Sequence, residues 1–283
     1  MLYETFDFGT TESRRFDSML DYVEFCKSVP AERVKAHDNT KARGFAGRDF
    51  AGSWDAVYSA VNSVWPEGMA VLERMEADLA DAALPKPVSR RRKTRFNEDD
   101  GDELDYDRMR SGQAFWRQSR RQNTSGPATV TIVVDSCAAC HVDPEDILWR
   151  GAAAVTLAKL LEAAGYRVEL WVTARTDNVV KRPGKKHLSD LMLSVCLKRP
   201  SDVLDTSTLI SAVSGWAFRT LFFRGFCCGQ GKVESNLGYP HAPSDEDVKH
   251  VTTDQKRIVI KGAFSYDAAV RLIRETITSI TSK

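Results

Sequence analysis

The clearest pattern along the chain is the alternation of strand-length apolar runs with helical spacing in its second half. Residues 128–135 (ATVTIVVD) are a continuous β-branched run, which is typical of a central strand buried on both faces. Asp143 and Pro144 predict the start of a helix, and Gly165 predicts its end. This alternation predicts an α/β domain over residues 128–283, in which helices sandwich a mostly parallel sheet. Further strands are predicted at residues 166–174, 191–198, 217–226 and 257–262, and a final amphipathic helix at 265–280.

Residues 1–84 show mainly helical spacing. An amphipathic helix is predicted from Arg14 to Lys27, Ser53 is suited to cap a second helix, and Pro66 is suited to open a third. We therefore expect a small, mainly helical region before the α/β domain. Its aromatic cluster is interpreted as core, with an exposed protein-binding face as the alternative, and comprises Trp54, Tyr58 and Trp65.

Residues 85–127 change character. A basic run is followed directly by a block of acids (EDDGDELDYD), and little in this segment can bury apolar surface. It is therefore predicted to be an exposed, charge-balanced linker, and the later stretch LDYDRMRSGQAFWRQSRRQ has the apolar spacing of a short docking helix. The alternative is a nucleic-acid-binding segment that contacts phosphates through Arg90, Arg91, Arg92, Lys93 and Arg95.

Composition and charge narrow the class of protein. The chain has 283 residues and a net charge of +1, so binding to nucleic acid or a membrane surface would need a local patch. Its apolar runs are shorter than the roughly 20 residues of a membrane helix, and its N-terminus lacks the basic start and apolar core of a secretory signal. We therefore expect a cytoplasmic protein without membrane association, whose six cysteines are reduced thiols or metal ligands.

The stretch DSCAACH, residues 135–141, suggests several chemistries. The pattern C-x-x-C-H attaches c-type haem, and C-x-x-C alone can be half of a zinc site or a redox pair. Haem attachment is disfavoured because it requires export, for which the sequence shows no signal. A redox pair needs its cysteines in the first turn of a helix, whereas Pro144 places the helix start later.

A second cysteine pair is expected at the same edge of the sheet. Cys227 and Cys228 follow the predicted fourth strand, and ligands of open α/β sheets bind beyond the carboxyl ends of the strands. Together with Cys137 and Cys140 they form a candidate zinc or redox site. The favoured interpretation is that Cys137 and Cys140 are small buried residues suited to close packing, for which no cofactor is required.

The second half of the chain also resembles the von Willebrand factor A fold. The resemblance rests on a first strand that ends in Asp135, on the long helix that follows and on a TST loop before a later helix. In that family Asp-x-Ser-x-Ser, a threonine and a later aspartate hold magnesium. Here Asp135 is kept and Thr206 or Thr208 could match the threonine. Because Cys137 and Ala139 replace the serines and no carboxylate follows the fourth strand, the resemblance implies a degenerate magnesium site.

The resemblance implies a domain that mediates contacts. The string LWRGAAAVTLAKLLEAAGYRVELW is also similar to phage and plasmid proteins with such a domain. The leading hypothesis is a non-catalytic interaction or scaffold protein of mobile-element origin, which binds a protein partner. The alternatives are a nucleic-acid-binding protein that uses the Arg-rich segment and a cysteine-ligated zinc or redox protein. The sequence leaves the identity of the partner and the oligomeric state open.

Overall fold

The described residues of this computed structural model form two compact units. Met1–Pro85 and Thr129–Lys283 make up the larger unit, and Lys86–Ala128 make up the smaller one. The N-terminal region and the α/β domain, which the sequence predicts as separate regions, therefore belong to the same unit. The structure describes residues 2–82, 84, 94–101, 103–119, 128–180, 189–228, 241–252 and 257–281.

The chain begins with two strands that the sequence pattern did not reveal. β1 (Glu4–Phe8) and β2 (Thr11–Phe16) pair antiparallel. The predicted helix from Arg14 to Lys27 is therefore wrong at its start. Helix α1 (Met19–Ser28) begins only after β2, and the side chain of Ser18 caps it. The strand escaped the sequence analysis because β2 is mostly polar, although it lies inside a sheet.

Short helices complete the N-terminal region, as its apolar spacing predicts. Ser53 caps the helix Trp54–Val61 by accepting a hydrogen bond from the backbone N–H of Ala56 (3.2 Å). Pro66 is the first residue of the helix Pro66–Asp78. Both predictions are confirmed. These helices are α2 (Ala31–Val34, followed by a 3₁₀ turn at Lys35–His37), α3 (Arg43–Ala46), α4 (Trp54–Val61) and α5 (Pro66–Asp78).

In the smaller unit, the described residues form an antiparallel three-stranded sheet and one short helix. The strand Trp116–Ser119, the last of the three in the chain, lies between the other two. Part of the segment that the sequence analysis interpreted as a linker is therefore folded. Its elements are β3 (Thr94–Asn97), β4 (Glu103–Leu104), α6 (Tyr106–Arg110) and β5 (Trp116–Ser119).

The rest of the larger unit keeps most of the predicted strand–helix order. Pro144 is the first residue of the first long helix, and Gly165 lies just beyond its end with a φ of 97°, as predicted. The elements are β6 (Thr129–Asp135), α7 (Pro144–Ala163), β7 (Arg167–Val180), β8 (Ser189–Lys198), α8 (Thr206–Ala212), α9 (Gly215–Ala217), a π-helical turn (Phe218–Phe222), α10 (Phe223–Phe226), α11 (Asp245–Lys249), β9 (Arg257–Ile260) and α12 (Tyr266–Thr281).

One six-stranded sheet runs through the larger unit in the order β1-β2-β8-β7-β6-β9. β6 is parallel to both β7 and β9, and β2 is parallel to β8. The pairs β1–β2 and β7–β8 are antiparallel. The structure thus confirms an α/β fold with a mostly parallel sheet flanked by helices and a helical N-terminal region. None of the helices in the described part of the chain is long and apolar enough to cross a membrane.

The predicted fourth strand, residues 217–226, is helical and belongs to the segment formed by α9, the π-helical turn and α10. The neighbours of β6 in the sheet are β7 and β9. The strand prediction failed because the run is rich in aromatic residues and is buried on all sides, which hides its helical period. Within the segment, the buried residues Phe218, Phe222 and Phe226 follow one another at intervals of four residues.

The two faces of the sheet pack against different parts of the chain. Alternate residues of each strand point to opposite faces. Ile132 and Leu193 belong to the main core, which also contains the buried residues of α7. Val133 and Trp171 point the other way and pack with Val248 of α11. The sheet is therefore covered by helices on both faces.

The close approach of α7 to the segment after α8 gives a test of the packing. A Cβ atom at Gly151 would lie 2.5 Å from the carbonyl oxygen of Val213, which is backbone and cannot rotate away. We expect Gly151→Ala to lower the free energy of unfolding by about 1–3 kcal/mol in urea denaturation. The control is Gly44→Ala in α3, where an added Cβ meets nothing within 4 Å and should change stability by no more than about 1 kcal/mol. Equal effects of the two variants would contradict this packing.

Candidate functional site

Asp135 ends β6 and forms a buried ion pair. Its carboxylate accepts a hydrogen bond from the backbone N–H of Cys137 (2.8 Å) and another from Nη1 of Arg150 in α7 (3.2 Å). Only 1% of the Arg150 side chain is exposed. The same nitrogen donates to the carbonyl oxygen of Cys137 (2.8 Å). Asp135, the residue kept from the magnesium motif, is therefore neutralised by a cation of the protein itself.

Burial acts on both charges of this pair. It raises the pKa of Asp135, and the neighbouring Arg150 guanidinium and the Cys137 N–H oppose that shift. It also lowers the pKa of Arg150, and the Asp135 carboxylate opposes the shift. Each charge thus depends on the other, because neither has access to water.

A second buried arginine fixes the loop that follows β6. Arg219 lies in the π-helical turn and donates through Nη2 to the carbonyl oxygens of Ala139 (3.1 Å) and Val142 (2.5 Å). Its Nη1 donates to the carbonyl oxygen of Phe45 in α3 (2.5 Å), and its guanidinium carbon lies 4.2 Å from the centre of the Phe45 ring. The cysteine-containing loop is therefore tied to the N-terminal helices.

The two cysteines of this loop have different environments. Cys137 is buried, and its Sγ accepts a hydrogen bond from the backbone N–H of Arg175 in β7 (3.2 Å). Burial, reinforced by the charge of Asp135, raises the pKa of its thiol. Cys140, in contrast, is exposed. The interpretation of both as small buried residues is therefore confirmed for Cys137 and wrong for Cys140.

Thr206 and Thr208 lie in the first turn of α8. The carboxylate of Asp205 caps this helix and accepts hydrogen bonds from the backbone N–H groups of Ser207 (3.1 Å) and Thr208 (3.5 Å). The hydroxyl of Thr208 donates to the carbonyl oxygen of Asp205 (3.2 Å). The hydrogen bond from the Ser207 hydroxyl lowers the pKa of Asp205. Both the backbone N–H and the hydroxyl of Thr208 are therefore used in capping α8.

Cys227 and Cys228 directly follow α10. The Sγ of Cys227 donates to the carbonyl oxygen of Phe223 (3.2 Å), and Nη1 of Arg14 donates to the Sγ of Cys228 (2.9 Å). Burial raises the pKa of Cys227 to about 12 and that of Cys228 to about 11. These thiols are therefore largely protonated at neutral pH.

The neighbours of the two cysteine pairs are different. Cys137 lies against Asp135 and Arg175, whereas Cys228 lies against Arg14. Across the described residues, no group of three or more His, Cys, Asp or Glu side chains is placed to hold a metal ion. The described residues therefore give no support to the alternative in which the four candidate cysteines form a zinc site.

The basic run falls mostly outside the described residues. Arg90, Arg91, Arg92 and Lys93 lie outside them, and Arg95 is in β3, where it is paired with Gln118 of β5. The nucleic-acid alternative thus stays a prediction.

A cleft of about 560 Å³ lies beside the N-terminal helices, and we call it the Arg224 cleft. Arg224 in α10 forms part of its wall, and its guanidinium carbon lies 4.4 Å from the Trp54 ring centre and 5.9 Å from that of Tyr58. Nζ of Lys27 lies 5.5 Å from the Tyr58 ring centre. The cleft therefore combines aromatic rings with cations. Its lining comprises Lys27, Ala31, Glu32, Val34, Lys35, Asp38, Trp54, Asp55, Tyr58 and Arg224.

Arg224 is held by the end of α1. Its Nε donates to the carbonyl oxygen of Cys26 (2.6 Å), and its Nη2 donates to that of Val29 (3.1 Å). These carbonyls lie at the C-terminal end of the helix, where the partial negative charge of the helix dipole favours a cation. The contact aligns α10 with α1 and gives the guanidinium a fixed position in the cleft.

Sequence reasoning did not find this cleft. The predicted core position of the aromatic cluster is confirmed for Tyr58, and Trp54 and Trp65 are partly buried against that core. The strand predicted for Arg224 is wrong. The one signal in the sequence that pointed towards the cleft was the alternative interpretation of the Trp54 and Tyr58 cluster as an exposed protein-binding face. No local pattern could have connected that face to Arg224, because some 170 residues separate them in the chain.

A family model described as "Domain of unknown function (DUF7192)" matches residues 7–281. The match covers nearly the whole chain, so the chain belongs to this family. No curated protein and no solved structure matched it.

The Asp135–Arg150 pair predicts a specific pattern of stabilities. Arg150→Met should lower the free energy of unfolding by about 3–5 kcal/mol because it leaves a buried carboxylate without a counter-charge. The double variant Asp135→Leu/Arg150→Met should be more stable than Arg150→Met alone. The control is Lys159→Met, which removes an exposed partner of Glu76 and should cost about 0–1 kcal/mol. Strictly additive effects in the double variant, measured by urea denaturation, would contradict the ion pair.

Thiol exposure predicts which cysteine reacts first. Cys140 is exposed, whereas Cys228 with a pKa of about 11 is only roughly one-thousandth thiolate at pH 8. Iodoacetamide at pH 8 should therefore alkylate one site rapidly in the native protein, and Cys140→Ser should abolish that fast phase in mass spectrometry. Fast modification of Cys227 or Cys228 instead would show that their environment differs from the one described.

Proposed function

We propose that this member of the family is a non-catalytic protein-interaction protein, which binds a partner through the Arg224 cleft. The observation that carries the proposal is the composition of the cleft. Trp54, Tyr58 and Arg224 line it together, and these three residue types are the ones most enriched among the residues that dominate binding at protein interfaces.

The rigidity of the cleft supports the same proposal. Arg224 is fixed by two carbonyl oxygens and by the Trp54 ring, and Tyr58 is largely buried. Side chains that are already ordered lose little conformational entropy when a partner binds. The site therefore suits direct docking of a partner segment.

The side chains at the carboxyl end of β6 support the proposal that the protein is non-catalytic. Asp135 is engaged by Arg150, and Cys137 is buried with its thiol pKa raised. A general base or a nucleophile must reach a substrate, whereas these groups face one another inside the protein. Their role in the proposal is to fix the loop after β6.

The proposal is tested by selecting binders from a random peptide display library against the purified chain. Trp54→Ala should reduce the affinity of the selected peptides at least about tenfold, as expected for an interface residue of this type. The control is Tyr106→Ala, an exposed aromatic of the smaller unit (67% exposed), which should leave binding unchanged. Circular dichroism would check that both variants stay folded.

Two results would contradict the proposal. One is a set of selected peptides whose affinity does not change in Trp54→Ala. The other is turnover of a nucleotide, nucleic acid or peptide by the purified chain that disappears in Asp135→Asn, since this would make the strand edge an active site.

A further inference from the structure

The Arg224 guanidinium is a buried charge without a carboxylate partner in the described part of the chain. Only 7% of the residue is exposed, and its hydrogen bonds go to the two carbonyl oxygens at the end of α1. Across the described residues, no Asp or Glu forms an ion pair with it. Arg150 is paired with Asp135, whereas the buried Arg219, like Arg224, donates to carbonyl oxygens. Carbonyl oxygens carry no net charge, so the positive charge of Arg224 is not neutralised and can attract an anion.

The same cleft contains a donor that lacks an acceptor. Tyr58 is only 9% exposed, and its buried hydroxyl has no hydrogen-bond partner among the residues that the structure describes. Burial raises its pKa, so the hydroxyl keeps its proton and acts as a donor. A buried donor without an acceptor destabilises the protein, because its lost hydration is not replaced. A ligand that supplies an acceptor would therefore remove that destabilisation.

The charges of the other lining residues restrict the kind of anion. Lys27 and Lys35 add positive charge, whereas Glu32, Asp38 and Asp55 add negative charge. The three carboxylates are exposed, and Asp38 already accepts hydrogen bonds from Thr40 (2.7 and 3.0 Å). These carboxylates repel a ligand segment that carries several negative charges. They repel a ligand with a single negative group less, and such a group is therefore better suited to bind Arg224.

We propose that the Arg224 cleft binds one side-chain carboxylate of an acidic residue in a partner protein. The carboxylate takes the position between Arg224 and Tyr58 and accepts hydrogen bonds from both. Apolar atoms of the same partner segment contact Ala31 and the ring of Trp54. The inference rests on the proposed function, because it names the group that the cleft recognises.

The choice of a protein carboxylate over a free inorganic anion follows from the walls of the site. A volume of about 560 Å³ is much larger than one carboxylate or phosphate, and the aromatic ring of Trp54 offers contact area to a peptide. The remaining volume is suited to the residues that flank the acidic one.

The experiment compares two libraries of displayed nonapeptides that differ at one position. One has Glu fixed at the centre and the other has Gln, and the flanking positions exclude Asp and Glu. On the wild-type chain the Glu library should be enriched at least tenfold over the Gln library. Addition of 10 mM acetate should reduce that enrichment more than 10 mM chloride does, since acetate offers the same group.

Two lysines provide a matched pair of variants. Lys27 is paired with Glu24 in α1, and Lys249 is paired with Glu246 in α11, in both cases three residues apart and exposed. Lys27→Glu should abolish the preference for the Glu library, and Lys249→Glu should leave it intact. Lys27→Arg should retain it, because the charge is kept.

The outcomes separate this inference from the proposed function. Equal enrichment of the two libraries, with binding still lost in Trp54→Ala, would overturn the carboxylate and leave the interaction function standing. Stronger competition by 10 mM phosphate than by acetate would overturn it in favour of a phosphate site. Failure of both libraries and of random peptides to bind would overturn both proposals.

Discussion

The ion pair between Asp135 and Arg150 fixes the point at which the central strand ends and the following loop begins. A buried charge that has lost its hydration is very destabilising unless an opposite charge or hydrogen-bond partners compensate for that loss. Asp135 accepts from Arg150 and from the Cys137 N–H, and Arg150 also reaches the Cys137 carbonyl. The backbone after β6 must therefore turn directly towards α7, which sets the position of the loop.

Two further arginines connect the helical segment after α8 to the N-terminal region through hydrogen bonds. Arg219 joins the loop after β6 to α3, and Arg224 joins α10 to the end of α1. Both lie in the helical segment that the sequence analysis interpreted as a strand. The N-terminal helices and the sheet consequently belong to one compact unit, and the Arg224 cleft exists only because these distant segments meet.

The elements that were predicted correctly carry their signals locally. Pro144 at the start of α7, Gly165 after its end, and the Ser53 cap of α4 act within a few residues of chain. β6 is a run of β-branched residues that suits a strand buried on both faces. Such signals depend on backbone geometry and on the adjacent turn, so they can be recognised without knowledge of the fold.

The sequence alone determined the α/β class, the order of most elements and the presence of Asp135 at the end of the first strand of the α/β half. Only the tertiary structure decided that β2, a mostly polar strand, enters the sheet and that the aromatic run at 217–226 is helical. It also decided that Asp135 meets Arg150 and that Trp54 and Tyr58 meet Arg224. These outcomes depend on contacts between residues far apart in the chain, and the free energy of such contacts is absent from any local pattern.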